Sequence, residues 1–95
     1  MELQFAGEVI HWKGPAPFYF VTVPEEESDM IASVSALATY GWGVIPVTVV
    51  IGKTEWTTAL FPKEGSYLVP LKVVVRRAER IELGNVVDVQ LTIDV

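Results

Sequence analysis

Few residues in this 95-residue chain have side chains that do chemistry, and their spacing narrows the options quickly. His11 is the sole histidine, cysteine is absent, and the serines are Ser28, Ser33, Ser35 and Ser66. A Ser-His-Asp or Cys-His nucleophile would have to use His11. No G-x-S-x-G elbow accompanies it. A two-histidine metal site is ruled out by count, and a thiolate zinc site by the lack of cysteine. His11 therefore reads as a strand-end residue beside a turn. The acidic run Glu25-Glu26-Glu27-Ser28-Asp29 has the oxygens a hard cation needs. Calcium loops alternate their ligands around a sharp turn, whereas these acids are consecutive and helical in context. They read as a solvated helix N-terminus, where the macrodipole favours carboxylates. A catalytic carboxylate such as Glu55 beside Trp56 has no spacing to support it.

Two other groups carry more. Trp12, Trp42, Trp56 and Tyr67 fall on strands or their approaches, and Trp42 stands between two glycines. Aromatic side chains bury large areas and dominate small cores, so packing is the first reading. The functional alternative is an aromatic-walled mouth for a small apolar or planar ligand, formed by Trp42, Trp56 and Tyr67. Lys72, Arg76, Arg77 and Arg80 form the densest positive cluster. They could contact phosphate, or pair with Glu79, Glu82 or the acidic helix at a corner between two strands. Exposed pairs contribute only about 0–1 kcal/mol each but can orient a loop.

Charge argues against the phosphate reading. Net charge is −5 at pH 7, and residues 1–50 hold six acids against Lys13 alone. Residues 51–95 hold six of each sign and are neutral. Nucleic-acid affinity comes mainly from neutralised phosphates, and this chain has no extended basic footprint. The hydrophobic fraction of 51% is high for a small domain. Either the core is very well filled, or apolar surface is kept for a partner or ligand.

The elements that must position these groups are mainly β. Sixteen valines cluster in short runs, and valine suits pleated, half-buried surfaces. Val87, Val89, Leu91, Ile93 and Val95 alternate with polar residues, which predicts one core face and one wet face. Leu3, Phe5 and Val9 alternate in the first strand, with Gly7 marking a bulge or close approach. "APFYFVTV" is apolar on both faces and predicts a strand covered on both sides. "VIPVTVVI" carries Pro46, an edge or bulge signal, and a Gly-Lys turn joins it to "EWTTALFP" in a hairpin. "SYLVPLKVVV" follows the turn at "PKEG" and predicts a strand in which Lys72 and Arg76 share parity. One helix is predicted over about residues 24–38, opened by Pro24, with an apolar stripe of Met30, Val34 and Leu37 and with Ile31 and Ala38 beside them. Gly41 is placed to cap it. The order is β-β-α-β-β-β-β, and 95 residues suit a single domain. Closure into a small β-barrel of about six to seven strands would hide the edges.

These segments resemble a known family. "FAGEV", "VTVP", "GWGVIPV", "W-T-T-A-L-F-P", "G-S-Y-L-V-P-L-K", "V-R-R-A" and "L-G-N-V-V-D-V" together, in order, are similar to domain-of-unknown-function family nineteen-oh-five, a family of small bacterial domains. The resemblance implies a closed Greek-key barrel with one helix. It implies no catalytic residue and no cofactor, and some relatives are fused to a bacteriocin-protection-like module. Asn85 stands where that family more usually has Asp after Gly, which puts in doubt any role needing a carboxylate there. The strand, Arg, turn and Leu-x-x-Gly pattern also looks like the swapped-hairpin barrels of transcription regulators and antitoxins, some of which bind DNA.

The expectation is a non-enzymatic module that binds a small ligand or a protein partner, as a monomer or homodimer, without a cofactor. Nucleic-acid binding at Arg76, Arg77 and Arg80 is the alternative. No segment looks like a signal peptide, and "VIPVTVVIG" is too short to span a bilayer, which takes about 20 residues. A cytoplasmic location is therefore expected.

Overall fold

The computed structural model describes residues 1–12, 18–38 and 45–94, and Trp42 and Gly41 lie outside them. Six strands form a closed antiparallel barrel: β1 (Glu2–Trp12), β2 (Phe18–Thr22), β3 (Ile45–Ile51), β4 (Thr54–Lys63), β5 (Ser66–Leu71) and β6 (Val86–Ile93). Their order around the barrel is β1-β2-β5-β4-β3-β6. β3, β4 and β5 follow one another as a meander, and β6 crosses back to lie between β3 and β1. Every strand has a neighbour on both sides, so edge-to-edge pairing of valine-rich strands is not open to the barrel.

The alternation in the sequence becomes the barrel wall. Leu3, Phe5 and Val9 of β1, Val47 and Val49 of β3, and Val89, Leu91 and Ile93 of β6 point inward and are buried. Their alternate neighbours Gln4, Asp88, Gln90 and Thr92 are exposed. Pro46 lies one residue beyond Val47↔Ile93, where pairing with β6 begins, so it does not interrupt that ladder. Gly52 and Lys53 make the two-residue β3–β4 turn between Ile51 and Thr54. Gly52 takes φ +59° at the first turn position, a conformation that favours glycine.

Closure depends on β1, which serves two partners. Residues 2–8 pair with β6, and from Val9 onward the strand pairs with β2. Gly7 sits at the changeover. A Cβ there would fall 2.2 Å from the Thr22 carbonyl oxygen and 2.6 Å from Val21 Cγ1. Gly7 thus marks close approach of two backbones. Beside it the Thr22 hydroxyl accepts from the Glu8 N–H at 3.2 Å and lies 3.3 Å from the Glu8 carbonyl oxygen, to which it donates.

Two helices close the ends. The first, α1 (Glu25–Ala38), joins β2 to β3, and its range agrees with expectation. Pro24 precedes it, and its carbonyl accepts the Ser28 N–H at 2.8 Å. Of the described residues of the predicted apolar face, Ile31 is packed deepest and Val34 is half-buried. Ile31 is fully buried, Met30 is exposed, and Ser28 is buried because its hydroxyl donates to the Val23 carbonyl at 3.1 Å. That local bond lets a serine replace an apolar residue in the packed face.

The second helix, α2 (Val73–Ala78), corrects the expectation of one helix and of a strand running through Arg76. Pairing with β2 ends at Tyr19↔Leu71. The chain must then cross the end of the barrel to reach β6. A helical turn satisfies its own backbone there, which outweighs the strand preference of three valines. Val75 and Ile81 plug that end and are buried. Glu79, at the end of α2, accepts the Thr54 hydroxyl at 2.6 Å and lies over Gly52, fastening the helix to the β3–β4 turn. α1 follows the last residues of β2, and α2 those of its antiparallel neighbour β5, so the helices cap opposite ends.

Gly7→Ala is expected to destabilise the domain by about 3 kcal/mol or more, since the clash is with backbone that cannot swing away. Urea unfolding measures it, and a loss within 0.5 kcal/mol (on the order of a surface change) would contradict the close approach.

Candidate functional site

The cationic corner is built by the end of α2. The Ile81 N–H donates to the Arg76 carbonyl at 2.9 Å and the Arg80 N–H to the Arg77 carbonyl at 3.4 Å. Arg80 has φ +53°. This is the Schellman termination, with Arg80 at the left-handed position that glycine usually fills. Arg76 lays its guanidinium on Tyr19, 3.6 Å from the ring centroid, and His11 packs on the other residue of that pair at 5.1 Å between centroids. Lys72 is the extended residue before α2, and it, Arg77 and Arg80 are exposed. Arg76 thus turns to Tyr19 and not to Glu79 or Glu82. Among the described residues the four cations form no ion pair. Asn85 accepts the Glu82 N–H through Oδ1 at 2.9 Å, so an amide oxygen holds this turn without a carboxylate.

For Trp56 and Tyr67 the packing reading holds, and the alternative of an aromatic mouth does not. Trp56 and Tyr67 point into the barrel and belong to its core, and Trp42 lies outside the described residues. Trp56 is 9% exposed, and its buried Nε1 has no hydrogen-bond partner. Glu55 is exposed while Trp56 is buried inside, so the two do not share a site.

A different aromatic group gathers on the outside of β1, β2, β5 and β4. Trp12 lies across from Phe18, and Phe61 across from Leu68. Phe18 and Phe20 have centroids 6.4 Å apart, and Phe20 meets Phe61 edge-on at 6.4 Å. That last contact crosses over β5. It explains why Leu68 is only 6% exposed although it stands outside the interior core. Trp12, Phe18 and Phe61 remain 41%, 51% and 46% exposed. Lys63 places its ammonium 3.7 Å from the Trp12 ring centroid. Together they line a groove of about 270 Å³. The expectation that "APFYFVTV" is covered on both faces is corrected for Phe18, whose outer face is half exposed. Sequence reasoning missed Phe18, Phe20, Phe61 and Lys63. The signal was that two-faced apolar pattern.

A larger groove of about 510 Å³ crosses β1, β6 and β3. Gln4 faces Gln90 there, with Asp88 as its charged group. It is a polar strand face, with no convergent acid and base.

The architecture defines a class: a closed six-stranded antiparallel barrel with a helix at each end and an aromatic outer face. Residues 5–91 match the model of a family described as a domain of unknown function, DUF1905, and the chain belongs to that family. No curated protein matches the chain.

Two stability measurements separate surface from core. Phe61→Ala is expected to cost about 1–2 kcal/mol and its neighbour Leu60→Ala about 2–5 kcal/mol. Equal losses in urea unfolding would show that Phe61 is a packing residue like Leu60. Arg80→Gly is expected to raise stability by about 0.5–1 kcal/mol by relieving the left-handed cap. A decrease in the unfolding midpoint would mean that the arginine side chain itself holds the corner.

Proposed function

We propose that the domain is a cytoplasmic, non-enzymatic binding module whose contact face is the outer aromatic surface of Trp12, Phe18, Phe20 and Phe61. The observation that carries this is three large aromatic side chains, each about half exposed, converging on one face. Contiguous apolar surface is what contact sites need, and aromatic residues give the most contact energy per side chain. The interior core is filled independently of these rings, so folding alone does not require them there. No helix among the described residues is long and apolar enough to cross a membrane. A cysteine-free chain needs no oxidising compartment.

The nucleic-acid alternative draws less support. A net charge of −5 repels phosphate. Arg76 gives its guanidinium face to Tyr19, and Arg80 is placed by the helix termination. The basic side chains mark a helix end, not a continuous track.

Thermal-shift and native mass-spectrometry screening against small molecules tests the binding reading. A ligand at 100 times its Kd adds about 2.7 kcal/mol and raises Tm by several degrees. Stabilisation is expected for the wild type and not for a Phe18→Ala/Phe61→Ala double variant. Hits that stabilise both equally would place binding elsewhere.

A further inference from the structure

Resting on that binding-face reading, we propose that the groove over Leu68 takes a small amphiphilic organic anion. Its aromatic or alkyl body lies on Phe18, Phe20 and Phe61, and its single carboxylate or sulfonate meets Lys63. Size favours a small molecule. About 270 Å³ lies just under the roughly 300 Å³ at which ligand sites start, room for a small molecule only.

Charge selects among small molecules. Among the described residues that line the groove, Lys63 is the charged one. Its ammonium rests on the Trp12 ring, and no carboxylate of the described residues lies within 4.0 Å of it. One side of the ammonium is thus held by the ring's π-electrons. The remaining N–H donors are left for water or for a ligand acceptor. An anion arriving there forms a charge-assisted bond beside apolar walls, where such bonds are stronger than in open water. A cationic ligand would meet Lys63 as a like charge. The net charge of −5 repels anions at long range, so the preference for an anion is assigned to Lys63, the charged residue of the described lining. That makes the preference a local property that one substitution can remove.

The experiment is fluorescence titration with two probes of the same shape class. They are 8-anilinonaphthalene-1-sulfonate and the uncharged N-phenyl-1-naphthylamine. The proteins are the wild type, Lys63→Gln, Lys63→Arg and Phe61→Ala, each checked for folding by circular dichroism. The wild type is expected to bind one sulfonate probe per chain, about tenfold more tightly than the uncharged one, as one charge-assisted bond provides. Lys63→Gln should erase that preference without changing uncharged-probe affinity, and Lys63→Arg should keep most of it. Phe61→Ala should weaken both probes. Equal affinities in the wild type, or a sulfonate affinity unchanged in Lys63→Gln, would overturn the anion inference while leaving the apolar face intact. Failure of both probes to bind, or indifference of both to Phe61→Ala, would remove the binding face as well.

Discussion

Everything in this domain hangs on the bend of β1. One strand has to serve as the last member of one ladder and the first of another, and it changes partner within a single residue step after Glu8. Only a residue without Cβ lets the Thr22 carbonyl come so near at Gly7. If that approach is lost, the barrel has two edges again, and the inward valines and isoleucines no longer share one interior. The helices depend on the same closure. α2 has an end to plug only because the strands have met, and Glu79 reaches Thr54 only because β3 and β4 are held under it.

Closure also decides what the surface can do. With a neighbour on both sides of each strand, the barrel wall offers mainly side chains to a partner. What remains on the outside is chemistry of the side chains: an amide-lined face over β1 and β6, a cationic helix end, and the aromatic rings over Leu68. Of the three, the rings alone combine apolar area with a concave shape and one oriented charge.

Period-2 patterning and turn chemistry made most of the fold legible. Val89, Leu91 and Ile93 face inward as their alternation requires, and the Gly52-Lys53 turn falls between Ile51 and Thr54 as a short hairpin should. The range of α1 was readable from Pro24 and its acids. Val73–Ala78 was not, because a valine run carries strand preference and only the end of the β2 ladder forbids the strand. The burial of Ser28 on the same helix was not readable, because it depends on the hydrogen bond its hydroxyl returns to Val23. The aromatic groove was illegible for a different reason. A strand apolar on both faces can be sandwiched or can display its outer face, and "FYF" reads the same in both cases. The contact of Phe20 with Phe61 joins residues 41 positions apart (61 − 20). No local pattern encodes that. Trp56 and Tyr67 show the converse, as aromatic residues that looked available and are core.

The ladder between β1 and β6 joins Glu2 to Thr92, nearly the full length of the chain. Tying so large a loop first would cost the most chain entropy, whereas the β3–β4–β5 meander can form turn by turn. Chain entropy thus favours folding from the hairpins toward the seam. A chain reopened at Glu64-Gly65, with its old ends linked, would keep that ladder but make it local. In such a permutant the architecture would stay the same while the longest loop closure moved to the reopened β4–β5 pair, so shape and folding order are separable in this barrel.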